Sequence, residues 1–397
     1  MIAQRLEGVG ASETLVIAAK AKELKDQGID IVSLTIGEPD FDTPIHIKQA
    51  AIDALNEGFT KYTAPEGIPE LRKAIVEQIK NDLGLDYNWK QVVVTNGSKQ
   101  ALYNFFQAAL NKGDQVLVPA PYWLSYPPML RLAGAVPKIL NTTPRQGFKI
   151  IPEQLKKAIK PKTKAIILNS PSNPTGATYT KTELEALAAI LEEHNLWVLS
   201  DDAYSKMLYE DQPFYSIAKF SKKLCEKTII FNTLSKSYAM TGWRVGYAVG
   251  PQEILTAVGV IQSQSTSGVN AIAQKAALKA IIGPQACVRA MVKEFEQRRA
   301  VGLEELSKIK KVSCFKPPGA FYLFPDVSKY YKTRFQNRQI NTSEDMATYL
   351  LEEARVATIP GKVFGADKYI RLSYATSIAN IQKGIARIKE ALEQLQY

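Results

Sequence analysis

Between residues 91 and 249, short apolar runs alternate with stretches of helical length, and this alternation limits the possible folds more than any other feature. Buried strands that alternate with helices are typical of a mainly parallel sheet covered on both faces. In such sheets, ligands bind beyond the carboxyl ends of the strands. We therefore predict an α/β chain with a mainly parallel seven-stranded sheet flanked by helices, including a helix at 181–194. The predicted strands are 91–95, 116–118, 136–139, 164–169, 196–200, 228–232 and 245–249.

Outside this region the sequence pattern predicts a mixture of helices and strands. The N-terminal part contains an amphipathic pattern from Leu15 to Lys25 and a short apolar strand at 31–35. Helices are predicted at 44–57, 68–82, 251–310 (interrupted at Gly283-Pro284), 343–354 and 377–396, and strands near 312–315, 320–325, 356–359 and 369–373.

We predict three parts from these patterns. Residues 1–45 form an N-terminal arm and part of a small domain. Residues 46–283 form a large domain that binds a cofactor, and residues 284–397 form a small C-terminal α+β domain. A chain of 397 residues is long enough to divide into two lobes in this way.

The charge balance favours small anionic ligands over nucleic acid. The net charge is +11, but the 50 basic and 39 acidic residues are interspersed, without a long basic run. A positive potential would attract anionic substrates and a phosphate group. No apolar run reaches membrane-spanning length and the first residues lack a secretory pattern, so we expect a cytoplasmic protein that binds neither membranes nor nucleic acid.

Histidine and cysteine usage excludes several site types. The two histidines, His46 and His194, lie far from each other, and the three cysteines form no CxxC pair. We therefore predict no metal site and no disulfide framework. Acid–base chemistry would have to come from lysine, tyrosine or a carboxylate.

Single residues at the strand ends each allow two interpretations. Lys236 follows a buried strand and enters a predicted turn rich in small residues, where it is either a solvent-facing loop lysine or an amine that reacts with a carbonyl cofactor. Gly97 and Ser98 at a helix start could bind a phosphate or only cap the helix. Asp201 could be a loop aspartate or the partner of a buried cation, and Tyr204 and Trp123 could be core residues. No dinucleotide or P-loop fingerprint is present.

Several motifs together resemble the class I pyridoxal-phosphate-dependent aminotransferases, in the style of the bacterial aspartate aminotransferase branch often labelled Ib. The resemblance follows the whole chain in order. The motifs are Gly37-Glu38-Pro39-Asp40-Phe41, Thr60-Lys61-Tyr62, Pro121-Tyr122-Trp123, Pro171-Ser172-Asn173-Pro174-Thr175-Gly176, Ser200-Asp201-Asp202-Ala203-Tyr204, Ser235-Lys236-Ser237 with Arg244, and Ile370-Arg371-Leu372-Ser373-Tyr374.

The resemblance implies the fold-type I architecture and pyridoxal 5'-phosphate as cofactor. It implies that Lys236 bonds to the aldehyde, that Asp201 pairs with the ring nitrogen, and that Tyr204 and Asn173 contact the ring 3′-oxygen. Trp123 would cover the ring face. The residues implied for the phosphate are Gly97, Ser98, Lys99, Thr233, Ser235 and Arg244, together with Tyr62 of the neighbouring subunit in a homodimer with shared active sites.

The resemblance also implies the reaction. Arg371 would bind the substrate α-carboxylate, helped by Gly37, Asn173 and Trp123, and the catalytic residues would be Lys236, Asp201 and Tyr204. The expected reaction is ping-pong amino transfer from L-aspartate to 2-oxoglutarate. The candidates for binding the distal carboxylate of the substrate are Lys99 and basic residues of the partner chain.

The sequence also allows other interpretations of the function. The alternative substrates are prephenate, aromatic amino acids and alanine, and a lyase or synthase of the same fold is a further possibility. A non-enzymatic basic binding protein is the alternative from another class. The sequence departs from the family pattern at Asp202-Ala203, where Glu-Ile is common, and at Ser172, where Asn is common.

Overall fold

The computed structural model describes residues 2–10 and 13–396. Its strands are, in chain order, β1 (Val32–Ser33), β2 (Val92–Thr95), β3 (Gln115–Ala120), β4 (Val136–Asn141), β5 (Thr163–Asn169), β6 (Trp197–Asp201), β7 (Thr228–Thr233), β8 (Gly246–Val249), β9 (Ser313–Cys314), β10 (Tyr322–Leu323), β11 (Pro325–Asp326), β12 (Arg334–Phe335), β13 (Arg338–Gln339), β14 (Val356–Ala357), β15 (Ile359–Pro360) and β16 (Ile370–Ser373).

Helices separate most of these strands along the chain. They are α1 (Glu13–Asp26), α2 (Ile45–Asn56), α3 (Pro69–Leu83), α4 (Ser98–Ala109), α5 (Tyr126–Leu132), α6 (Pro152–Ala158), α7 (Lys181–Glu192), α8 (Lys222–Cys225), α9 (Leu234–Ser237), α10 (Gln252–Ser265), α11 (Ala271–Ile282), α12 (Ala286–Ser307), α13 (Ser343–Glu352) and α14 (Ile378–Glu393).

The large sheet of the described residues has seven strands in the order β2-β8-β7-β6-β5-β3-β4. Strand β8 runs antiparallel to both of its neighbours, and the remaining pairs are parallel. Strands such as β2 and β8 are buried throughout, because helices cover both faces of the sheet. The predicted α/β class and the mainly parallel seven-stranded sheet are confirmed.

A second core lies outside the large sheet. It joins the three-stranded antiparallel sheet β10-β16-β15 to helices α12, α13 and α14, and it includes Val32 and Leu34 from the N-terminal part. Strand β1 pairs with β14 in parallel, which attaches the N-terminal segment to the C-terminal one. The division into 1–45, 46–283 and 284–397 stays a prediction, and positions 1, 11, 12 and 397 of it lie outside the described residues.

The structure corrects the sequence prediction in three places. The region 251–310 is broken after Ser265 as well as near Gly283, because Ser267 adopts a left-handed φ of 58° and Asn270 caps the next helix. Helices α5 and α6 were not predicted, although each has a proline in its first turn, where proline is tolerated. Lys236 lies on the one-turn helix α9, so the predicted turn was wrong.

None of the helices in the described parts of the chain combines the length and the low polarity that a membrane crossing requires. The predicted cytoplasmic location stays a prediction. Cys225, Cys287 and Cys314 are free thiols.

Replacing Phe231 by alanine is expected to destabilise the large sheet. Phe231 is fully buried on β7, and its ring meets the edge of Phe105 at a centroid distance of 6.0 Å. Loss of a buried phenylalanine ring typically lowers the free energy of unfolding by about 3–5 kcal/mol. Urea unfolding at one protein concentration measures this, with the half-exposed Ile151→Ala as control, for which we expect a change within about 0.5 kcal/mol. Equal effects of the two substitutions would show that Phe231 is not a core residue.

Candidate active site

A cavity of about 480 Å³ lies beyond the carboxyl ends of the parallel strands. Strands β5, β6 and β7 end at this edge, as a doubly wound sheet requires. The structure brings together here nearly all the residues selected from the sequence. Those that line the cavity are Gly37, Gly97, Ser98, Lys99, Trp123, Asn173, Asp201, Tyr204, Thr233, Ser235, Lys236, Arg244 and Arg371.

Lys236 is placed at the cavity by the junction of β7 and α9. The hydroxyl of Thr233 accepts a hydrogen bond from the backbone N–H of Ser235, which caps the short helix. The Nζ of Lys236 donates a hydrogen bond to the carbonyl oxygen of Gly37. Burial, the largest cause, lowers the pKa of Lys236 to about 8, against the opposing charge of Glu38. Lys236 therefore has a sizeable fraction of neutral, nucleophilic amine near neutral pH.

Asp201 ends β6 with its carboxyl group buried in the cavity wall. Its side chain is 4% exposed and accepts a hydrogen bond from the hydroxyl of Tyr126 at 2.5 Å. Burial raises the pKa of Asp201 to about 6, while the Tyr126 hydrogen bond and the charge of Lys236 act in the opposite direction. A cationic ring nitrogen placed against this carboxylate would favour its charged form further.

Aromatic side chains form the walls around these two groups. The hydroxyls of Tyr204 and Tyr322 lie 2.7 Å apart, and burial raises the pKa of Tyr204 well above its ordinary value. Trp123 packs edge-to-face on Tyr126 with ring centroids 5.3 Å apart. The Nζ of Lys99 lies 5.0 Å from the centroid of the Trp123 ring. Trp123 and Tyr204 therefore give the cavity aromatic lining beside its polar groups.

One corner of the cavity is built to bind an anion. Gly97 caps the N-terminus of α4 with a φ of 78°, and helix N-termini favour negative charge. A Cβ at Gly97 would lie 2.5 Å from Nη2 of Arg244, so only glycine lets the guanidinium approach this closely. Arg244 donates hydrogen bonds only to the carbonyl oxygens of Thr241 and Asn96 among the described residues. The corner therefore carries a positive charge that no carboxylate of the described residues pairs with.

Arg371 forms a second cationic position, deep in the cavity. Its side chain is 2% exposed and lies over the Tyr322 ring at 4.5 Å. It donates from Nη1 to Oδ1 of Asn173 at 2.9 Å and from Nη2 to the carbonyl oxygen of Thr35 at 2.8 Å, and its Nε has no partner among the described residues. A buried guanidinium whose partners are all neutral is costly unless an anion binds to it.

One predicted residue lies apart from the cavity. Tyr62 is 99% exposed in this chain, and its contact with the phosphate of a neighbouring subunit stays a prediction. Three functional neighbours were missed from the sequence: Tyr126 beside Asp201, Tyr322 beside Tyr204, and the carbonyl group of Thr35 beside Arg371. Of these three, Tyr126 alone had a usable signal in the sequence, because it lies three residues after Trp123.

The chain is similar to proteins of known type over its full length. The family model for aminotransferase class I and II matches residues 29–388. An aspartate aminotransferase of Bacillus sp. (strain YM-2) is 48% identical over 389 residues, which cover 98% of each chain. A probable aspartate/prephenate aminotransferase of Rickettsia felis is 44% identical over 394 residues, which cover 98% of this chain and 96% of the relative.

Solved structures agree with these relatives. The aspartate aminotransferase of Rhizobium meliloti superposes with a TM-score of 0.96 at 40% identity, and the match covers 100% of both chains. The aspartate aminotransferase of Thermus thermophilus, solved with maleate, superposes with a TM-score of 0.92 at 43% identity, and the match covers 98% of this chain and 99% of that one.

We expect the pH dependence of chemical labelling at Lys236 to show that its pKa is lowered. In the ligand-free chain, labelling of Lys236 with trinitrobenzenesulfonate should rise with pH, reach half of its maximum near pH 8 and level off above about pH 9, since only the neutral amine reacts. An ordinary lysine titrates near about 10.4, so at pH 8 less than about 1% of it is neutral. Peptide mass spectrometry at a series of pH values gives the Lys236 curve, and the exposed surface lysines as a group give the reference curve. Coincidence of the two curves would contradict the lowered pKa.

Proposed function

This chain belongs to the class I and II aminotransferases, and from that premise we propose that it transfers the amino group of L-aspartate to 2-oxoglutarate, yielding oxaloacetate and L-glutamate. The observation that carries the proposal is Arg371, a buried guanidinium whose hydrogen-bond partners among the described residues are all neutral, which suits a substrate α-carboxylate. Relatives named aspartate aminotransferase, at 46–48% identity over nearly the whole chain, support aspartate as the amino donor.

The family implies pyridoxal 5'-phosphate as cofactor. The chemical types of the residues that line the cavity fit the parts of this molecule. Lys236 offers an amine with a lowered pKa for the aldehyde, and Asp201 offers a buried carboxylate for the ring nitrogen. The corner formed by Gly97 and Arg244 offers backbone N–H groups and a guanidinium for the phosphate, and a Cβ at Gly97 would push that guanidinium away. When bound, the cofactor supplies an electron sink for the bond that breaks at the substrate Cα.

We assign the remaining contacts in the same way. Tyr204 and Asn173 would contact the ring 3′-oxygen, and Trp123 would cover the ring face. Ser98, Lys99, Thr233 and Ser235 would join Gly97 and Arg244 around the phosphate, with Tyr62 of a second copy in a homodimer that shares its active sites.

The chain's own groups divide the chemistry between them. Arg371 holds the α-carboxylate through a planar fork, which fixes the orientation of the substrate. The Nζ of Lys236 receives the proton that leaves Cα, because its lowered pKa makes it a base near neutral pH. Asp201 would face the ring nitrogen of the cofactor with its carboxylate, and this charge would favour the protonated form of that nitrogen. Tyr204 and Trp123 exclude water from the reacting atoms.

The distal carboxylate of aspartate needs a second cation, and we propose Lys99 for this role. Lys99 lines the cavity beside Trp123, and burial lowers its pKa, an effect that the charge of Arg244 reinforces. A bound dicarboxylate would offset both effects, because it brings negative charge to these cations. The Thermus thermophilus relative solved with maleate, a dicarboxylate, supports this reading.

Prephenate is the second candidate substrate. Relatives from Rickettsia and Rhizobium, at 42–46% identity, are named probable aspartate/prephenate aminotransferases. Prephenate is a 2-oxo acid with a second carboxylate, so it would use the same two cationic positions.

A single-turnover screen tests the assignment. The cofactor-loaded enzyme is mixed with one amino acid at a time, and the absorbance of the bound cofactor reports its conversion to the amino form. Aspartate and glutamate should react fastest, and the amino form should then be discharged by 2-oxoglutarate and, for the second candidate, by prephenate. Failure of aspartate and glutamate beside a fast reaction with phenylalanine or alanine would contradict the proposal.

The same screen tests Lys99. The variant Lys99→Met loses a charged hydrogen bond to the substrate, which is worth about 1.5–3 kcal/mol. Its reaction with aspartate should therefore be slower by about tenfold or more, and its reaction with alanine should slow less. The exposed Lys164→Met serves as control and should react as the unmodified enzyme does. An equal loss for aspartate and alanine would assign Lys99 to cofactor binding alone.

A further inference from the structure

Tyr322 lies behind the wall of the cavity that contains Lys236 and contacts two of the residues proposed to act there. Its side chain is fully buried and is not among those that line the cavity. Its hydroxyl oxygen lies 2.7 Å from that of Tyr204, and the guanidinium carbon of Arg371 lies 4.5 Å from the centroid of its ring. Tyr322 therefore touches both the residue proposed for the cofactor 3′-oxygen and the residue proposed for the substrate α-carboxylate.

The antiparallel pairing of β10 with β16 places Tyr322 beside Arg371. The ladder pairs Tyr322 directly with Ser373. Side chains alternate between the two faces of a strand, so Arg371, two residues before Ser373, projects on the same face as Tyr322 and is its diagonal neighbour. The register of the small sheet thus sets this contact, and a ring below a guanidinium is a favourable arrangement.

The hydrogen bond between the hydroxyls of Tyr204 and Tyr322 can run in either direction. A phenol hydroxyl donates one hydrogen bond and accepts others through its lone pairs. If Tyr204 donated to Tyr322, its only proton would not be available to the cofactor 3′-oxygen. If Tyr322 donates, the proton of Tyr204 is free to point into the cavity, which Tyr204 lines.

The charge of Arg371 favours Tyr322 as the donor. Burial, to which the neighbouring Tyr322 adds, raises the pKa of Tyr204 well above its ordinary value. Burial also raises the pKa of Tyr322, but the positive charge of Arg371 is the strongest opposing effect there. Tyr322 is therefore the more acidic of the two phenols. A cation close to its ring polarises the O–H group and makes it the stronger donor.

We propose that Tyr322 is a positioning residue of the active site, whose hydroxyl donates to the oxygen of Tyr204 and so turns the Tyr204 proton towards the cofactor 3′-oxygen. Hydrogen bonds in series polarise one another, so the bond from Tyr322 strengthens the bond that Tyr204 makes to the cofactor. This inference rests on the proposed function, since it requires pyridoxal 5'-phosphate in the cavity.

A pH titration of the absorbance of the bound cofactor in Tyr322→Phe tests the direction of this hydrogen bond. A hydrogen bond to the 3′-oxygen favours its charged form and so lowers the apparent pKa of the bound cofactor. Polarisation adds about 10–30% to a charged hydrogen bond, so the loss of the Tyr322 hydroxyl should raise this pKa by about 0.2–0.6 pH unit. The affinity for succinate should be unchanged, because the phenyl ring stays beneath Arg371.

Tyr349→Phe is the matched control. Tyr349 is fully buried in the second core, and its hydroxyl donates to the carbonyl oxygen of Ala391 at 2.7 Å. This variant also loses one hydrogen bond of a buried tyrosine, and it should titrate as the unmodified enzyme does.

The sign of the shift decides the outcome. A lower apparent pKa in Tyr322→Phe would show that Tyr204 had donated to Tyr322, and an unchanged one would show that Tyr322 does not act on Tyr204. Either result overturns the proposal, as would an equal rise in Tyr349→Phe or a loss of succinate affinity of about tenfold or more in Tyr322→Phe. If the unmodified enzyme binds no pyridoxal phosphate, the proposed function itself fails. A normal titration of the unmodified enzyme beside one of the contrary results removes only the role of Tyr322.

Discussion

The guanidinium of Arg371 connects three segments that are far apart in the chain. Arg371 belongs to β16 in the second core, Asn173 follows β5 of the large sheet, and Thr35 follows the short strand β1. The two hydrogen bonds between them close one side of the cavity in which Lys236 and Asp201 lie. A buried cation with neutral partners would normally be selected against on stability grounds. Under the proposed function the substrate α-carboxylate binds at this junction, so that anion binding and the packing of the two cores would be physically linked.

The titration behaviour of the site follows from the same burial. Removal of water lowers the pKa of Lys236 and raises that of Asp201, so both groups are less charged than they would be in water. The neutral amine of Lys236 is the form that reacts with an aldehyde, whereas a cationic nitrogen beside Asp201 would lower the pKa of its carboxyl group again and restore its charge. The large sheet makes this possible because β6 and β7 are parallel neighbours, which places the ends of both strands at one edge.

Much of this arrangement was predictable from the sequence, because it depends on local patterns. Apolar runs located the strands of the large sheet, and the parallel topology then brought residues such as Asn173, Asp201 and Lys236 to one edge. What could not be predicted depends on packing between distant segments. Nothing in the sequence near Tyr204 indicates that Tyr322 would meet its hydroxyl. The short helix at Lys236 was missed because a four-residue helix is too short to show a period. That Oδ2 of Asp202 has no hydrogen-bond partner among the described residues also depends on packing and not on any local sequence pattern.

The central claim is that Lys236 is the amine that bonds to the cofactor. The direct measurement is borohydride reduction of the cofactor-loaded enzyme, followed by proteolysis and mass spectrometry of the peptides. We predict that the reduced pyridoxyl phosphate is found on Lys236 and on no other lysine. A label on a different lysine, or a protein that takes up no pyridoxal phosphate, would contradict the account.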